Sequence, residues 1–288
     1  MEVQLAYQAN DILGEGPVWV PDEQSLYWVD ILRPKLRRWH PASGTYQDWT
    51  MPADIGCFAL REKGGAVLGL RTGIAYLNFL NSKVTPLMDP EADLKFTRFN
   101  DGKCDRLGRF WAGTMDEETP NTRGALYRLD PNGQIRQMKP DIGISNGLGW
   151  SPDNRTMYYT DSAKHTIWAY DFDLRNGLIT NQRVFAQTPE DYVPDGLTVD
   201  ADGFVWSAKW DGWKVTRYAP DGSIDREVPL PVQRPTSCMF GGPELKHLYI
   251  TSATTGLTGS ELAGQPLAGG VLVLKNVTQG LPEPYFGG

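Results

Sequence analysis

The chain has 288 residues with 40% hydrophobic and 22% charged side chains, enough apolar content to bury a core. Its net charge of −7 offers no basic surface for nucleic acid or an anionic membrane, and no apolar run approaches the ~18 residues of a bilayer span. The first ten residues, Met1 to Asn10, lack the basic and apolar regions of a secretory signal. Three widely spaced cysteines, Cys57, Cys104 and Cys238, read as reduced core residues, not as a disulfide frame, so a cytoplasmic protein is expected.

With 31 Gly, 21 Pro and 10 Trp and no long helical periodicity, the composition predicts many short strands joined by turns. Taken in chain order, a three-part unit recurs. Its first part is a polar residue, a glycine and a short apolar strand. These are Glu15-Gly16-Pro17-Val18-Trp19, Ile55-Gly56-Cys57-Phe58, Asp101-Gly102-Lys103-Cys104, Asn146-Gly147-Leu148, Asp195-Gly196-Leu197 and, more loosely, Thr236-Ser237-Cys238. The second part is a tight turn, such as Leu107-Gly108 or Asp202-Gly203, leading into an aromatic strand such as Phe110-Trp111-Ala112 or Phe204-Val205-Trp206. Turns of this kind join antiparallel neighbours. The third part is another strand, ending with Val271–Leu274.

The units recur roughly every 40 to 50 residues, the period of a four-stranded propeller blade. Six of them use nearly the whole chain. The last has no room for a fourth strand, but Val3–Tyr7 precedes the first unit and is placed to supply it. The expected fold is therefore all-β, a six-bladed β-propeller forming one domain over residues 1–288 and closed by the N-terminal strand. The Gly-His and Trp-Asp marks of WD-type blades are missing.

In a propeller the innermost strands line a central channel, so equivalent positions at their starts form a ring. The residue before each motif glycine is Glu15, Ile55, Asp101 (after Asn100), Asn146, Asp195 and, in the loose unit, Thr236. Carboxylates gathered out of water are costly unless something neutralises them. A divalent cation does so, and oxygen donors suit Ca²⁺, Mg²⁺, Mn²⁺ or, less selectively, Zn²⁺ or Fe²⁺. Taken alone, an Asn-Gly or Asp-Gly pair is foremost a turn. Here the pairs lead into inner strands and recur in register with Glu15.

At these residues the chain resembles the family of regucalcin (senescence marker protein 30), gluconolactonases and bacterial pentonolactonases. The stretches that carry the resemblance are Gly14-Glu15-Gly16-Pro17, Arg98-Phe99-Asn100-Asp101-Gly102-Lys103, Ala112-Gly113-Thr114-Met115, Ile144-Ser145-Asn146-Gly147-Leu148, Pro194-Asp195-Gly196 and Cys238-Met239-Phe240-Gly241-Gly242. The resemblance implies one divalent cation held by Glu15, Asn146 and Asp195, and substrate contacts from Arg98, Asn100 and Glu118.

Opening a lactone needs a polarised carbonyl, an activated water and a proton for the leaving oxygen, and a metal site of this type serves the first two. Asp195 is the expected general base. The expected partner is a small sugar lactone, with no nucleic acid and no membrane, and the protein is expected to be a monomer. Two alternatives stand beside this reading: a propeller hydrolysing aryl esters or phosphotriesters, or a non-catalytic calcium-binding propeller. Polar groups around the metal favour a sugar, whereas an apolar wall favours an aryl ester. With only His40, His165 and His247, each isolated, a Ser-His-Asp triad has little material.

Overall fold

Each of the six repeats folds into one four-stranded antiparallel sheet. The computed structural model describes residues 2–118 and 123–288. Blade 1 runs Gly14–Val20, Ser25–Asp30, Lys35–Trp39 and Tyr46–Thr50. The inner strands of the next four blades are Ile55–Leu60, Thr97–Cys104, Ser145–Trp150 and Val193–Val199. Blade 6 contains Pro235–Gly241, His247–Ser252 and Val271–Leu274, and its fourth strand is Val3–Tyr7. Val3 opposes Leu274 and Leu5 opposes Leu272, so the first and last strands share one blade and the ring closes as the repeat count required.

Aromatic second strands supply the blade cores. Trp28, Trp111 and Trp206 are fully buried, and each indole N–H donates to an aspartate: Asp11 at 2.8 Å, Asp105 at 2.8 Å and Asp200 at 3.0 Å. An arginine completes each pair, Arg37 on Asp11, Arg109 on Asp105 and Arg217 on Asp200. A buried charge held this way is paired and hydrogen-bonded at once, which is the condition for tolerating it.

Every inner strand breaks register where its motif falls: between Glu15 and Val18, Ile55 and Cys57, Phe99 and Gly102, Asn146 and Leu148, Pro194 and Leu197, and Pro235 and Cys238. A bulge re-aims the side chains beside it, and at four of these breaks a polar side chain, Glu15, Asn100, Asn146 or Asp195, faces one shared cavity. The glycine also lets the inner strands approach one another. A Cβ on Gly147 would lie 2.7 Å from the Asp195 carbonyl oxygen, so that glycine makes room for the next blade's backbone and not for a ligand.

The C-terminal segment crosses the opposite end of the channel. Gly280 bridges to Asp200 and Phe286 to Arg61, while the Gly287 N–H donates to the Gly108 carbonyl. Among the described residues no helix is long and apolar enough to cross a membrane.

Candidate active site at the channel mouth

Inner-strand starts and second-strand ends meet at one face of the propeller, around a cavity of about 200 Å³ lined by Glu15, Asn100, Asn146, Ser162 and Asp195. Three ring positions picked out by the sequence thus converge, and Asn100 joins them. The bulge between Phe99 and Gly102 separates Asn100 from Asp101. Asn100 faces this cavity, while Asp101 lines a second cavity deeper in the channel with Lys103, Ser237 and Glu283.

The amides are fixed by hydrogen bonds. Asn100 Nδ2 donates to the Ser145 carbonyl at 2.7 Å and to Asn146 Oδ1 at 3.1 Å. Asn146 Nδ2 donates to Ser162 Oγ at 2.9 Å, which donates in turn to the Pro194 carbonyl at 2.6 Å. This chain sets the Asn146 amide so that its oxygen faces Asn100 and its nitrogen faces away, and it ties blade 4 to the residue preceding Asp195. Ser162 lies in a short 3-10 turn after the second strand of blade 4, outside any repeated motif, so sequence reasoning missed it.

Glu15, Asp195 and Asp101 are all buried. The N–H of Gly16 donates to Glu15 Oε2 at 2.7 Å and that of Gly102 to Asp101 Oδ1 at 2.7 Å; Gly196 does the same for Asp195. Even so, burial pushes the Glu15 carboxyl well above its usual range, and the charges of Asp195 and Asp101 push it further. Asp195 is raised by burial and then by Asp101. Burial lifts Asp101 to about 6, against the opposing pull of Lys103.

Asp195 Oδ1 is buried without a hydrogen-bond partner. A carboxylate oxygen left in that state costs the full desolvation penalty unless a cation or proton meets it. Two carboxylates and a carboxamide form an oxygen-only donor set suited to a hard divalent cation, and too few donors to close its coordination. No group of three His, Cys, Asp or Glu side chains placed to hold a metal ion occurs among the described residues.

Arg98 is buried but reaches the cavity only through Asn100, whose Oδ1 accepts from Arg98 Nη1 at 2.6 Å. Its Nε donates to Glu117 Oε1 at 2.9 Å, and Glu117 also pairs with Arg71 at 2.8 Å. Of the double acid in the sequence, Glu117 holds the arginine, while Glu118 is exposed with its N–H on Asp116 Oδ1 at 2.8 Å. Glu118 adjoins residues 119–122, outside the described residues. The remaining lining is apolar: Leu13, Ile31, Met115, Ile144, Val193 and Trp210. Trp213, the other tryptophan near the rim, is 43% exposed. His40, His165 and His247 do not line the cavity.

Fold and site together define a propeller whose open channel end carries an acid–amide ring. Residues 13–254 match the SMP-30/Gluconolactonase/LRE-like region, and the chain belongs to that family. It is 39% identical over 279 residues to the 6-deoxy-6-sulfogluconolactonase of Pseudomonas putida, covering 96% of both chains. It is 40% identical over 284 residues to regucalcin of Gallus gallus, covering 96% of this chain and 95% of the relative. Among solved structures, a calcium-binding regucalcin from Agrobacterium tumefaciens superposes with a TM-score of 0.94 at 28% identity, over 99% of this chain and 97% of the other. The chain is a gluconolactonase-like propeller of this family.

Proposed function

We propose that this protein hydrolyses aldono-1,4- or 1,5-lactones to aldonic acids, using one divalent cation held by Glu15, Asn146 and Asp195. The observation that carries the reading is the buried, unpartnered Asp195 Oδ1 in a ring that also holds Glu15, at the floor of a cavity of substrate size. The names of the Pseudomonas and Agrobacterium relatives, a sugar lactonase and a calcium-binding protein, support the two halves of the reading.

A divalent cation in such a donor set supplies polarisation of an ester carbonyl and a more acidic water. The protein's own groups do the rest. Asp195 takes a proton from the attacking water as the new C–O bond forms at the carbonyl carbon. That proton passes to the ring oxygen as the ester C–O bond breaks, giving the hydroxy acid. Positioned acid–base help of this kind is typically worth about 10² to 10⁴ in rate. Asn100 contacts the substrate directly, Arg98 acts on it through Asn100 Oδ1, and Glu118 accepts a hydroxyl at the rim. The free protein is read as a monomer in the cytoplasm that meets a small molecule and neither nucleic acid nor membrane.

The test is chelation followed by single-cation add-back, with acid release from a panel of aldonolactones as the readout. Activity lost with the chelator and restored by a cation is the expected result. A protein that binds a cation tightly yet opens no lactone would overturn the hydrolase and leave the calcium-binding alternative.

A further inference from the structure

The cavity is polar mainly at its floor. Leu13, Ile144 and Val193 sit at or just before inner-strand starts, and Ile31, Met115 and Trp210 at or just after second-strand ends. Together they form an apolar wall above Glu15, Asn100, Asn146, Ser162 and Asp195. Val193 and Trp210 are directly opposed across the blade 5 ladder, so one blade contributes a continuous patch of wall. Met115 and Ile144 are likewise bridged, joining the wall between blades 3 and 4.

The charges beside this wall are already spent. The Arg234 guanidinium lies 4.8 Å from the centroid of the Trp210 ring, donates to Asp211 Oδ1 at 2.7 Å and also holds the Thr255 carbonyl. That clamp holds the indole by its ring. Arg98 is committed to Glu117, Phe99 O and Asn100. Besides the acids and amides of the floor, the described lining side chains offer two polar groups: the indole N–H at the edge of the Trp210 ring, and Ser162 Oγ, which is engaged with the Asn146 amide and the Pro194 carbonyl.

A sugar hydroxyl pressed on the aliphatic part of this wall loses water without gaining a partner, which is unfavourable. A C–H face meets an indole and aliphatic side chains instead, which is favourable. A sulfonated lactone of the kind in the Pseudomonas relative's name brings an anion, and the arginines described beside this wall, Arg98 and Arg234, are both engaged.

Resting on the lactonase reading, we propose that the wall selects lactones carrying hydrogen or an alkyl group where an aldonolactone carries an outer hydroxyl, deoxy-aldonolactones above all. Trp210 is the residue that sets this preference. In this proposal the carbonyl lies on the polar floor and the exocyclic carbon is set against the wall, which makes the 6-position the one to test.

The experiment measures kcat/KM of the cation-supplemented protein on D-glucono-1,5-lactone, its 6-deoxy counterpart and δ-valerolactone. The expected result is at least a tenfold advantage of the 6-deoxy compound over the gluconolactone, carried mainly by KM. Trp210→Ala is expected to erase that advantage, and Trp210→Phe to retain most of it. Val193→Thr keeps the shape of the wall while adding a hydroxyl, and should shift the ratio back towards the gluconolactone even if Trp210→Ala fails to fold. Gluconolactone opened as well as or better than its 6-deoxy counterpart would overturn this proposal and leave the lactonase standing. If none of the three is opened, the lactonase reading falls, and the selectivity falls with it.

Discussion

The two ends of the channel are built from the same repeated strand, yet they treat charge in opposite ways. At the closed end Asp101 shares its cavity with Lys103 and Glu283. Lys103 Nζ lies 3.6 Å from Glu283 and donates to the Leu197 carbonyl at 3.1 Å. The tail that brings Glu283 is locked by Phe286, fully buried among blade 2 and 3 residues. The protein thus supplies its own counter-ion there and seals it in. At the mouth Glu15 and Asp195 have only glycine N–H groups and distant cations, and Asp195 Oδ1 has no partner. One end carries a cation of its own beside the carboxylate, and the other, on the proposed reading, awaits one from outside.

The largest effect that separates the ends belongs to Asp195. Asp195→Asn keeps the side-chain shape and should cut lactone turnover by roughly 10² to 10⁴, with unfolding of the cation-free protein no easier than in the parent. Acid-release kinetics and a denaturation curve on the same sample check both halves. Near-parental turnover would remove Asp195 from the chemistry.

At the other end, Phe286→Ala should cost about 3–5 kcal/mol of stability, read as a lowered denaturant midpoint. Under folding conditions the same variant should keep near-parental kcat, because the residue lies away from the mouth cavity. A large fall in kcat would mean that the ends are coupled.

The smallest effect is a pH dependence that joins them. Asp101 has its carboxyl raised to about 6, so the folded state holds its proton where the unfolded chain has released it. Stability is therefore lost as pH rises from about 4 through 6, and stays lost above that. Asp101→Asn removes this dependence. It should raise the melting temperature of the cation-free protein at pH 8 by a few degrees, on the order of 1–3 kcal/mol, and leave it nearly unchanged at pH 4. An equal shift at both values would show that the charge of Asp101 is not the cause.

Repetition is what made the fold and the floor of the site legible in the sequence. Blade count, ring closure by Val3–Tyr7 and the convergence of Glu15, Asn146 and Asp195 follow from one motif read six times. What the motif does not repeat was hidden. Ser162 comes from a turn, Met115 from a second-strand end, and the Phe286 anchor from a tail with no periodicity of its own. The division between Asn100 and Asp101 depends on a bulge, which shifts register by an amount that residue types do not announce. Glu117 and Glu118 are chemically alike, and only the position of the Arg98 guanidinium distinguishes them. The apolar wall bears on the expectation that such a lining favours a less polar ester: floor and wall ask for different parts of one substrate.

The claim that the mouth is completed by a cation is tested most directly by calorimetric titration of the chelator-stripped protein with single divalent cations. The account predicts one site per chain, lost when Glu15→Gln and Asp195→Asn are combined and kept in Asp101→Asn. Unchanged stoichiometry and affinity in the Glu15→Gln, Asp195→Asn double variant would contradict it.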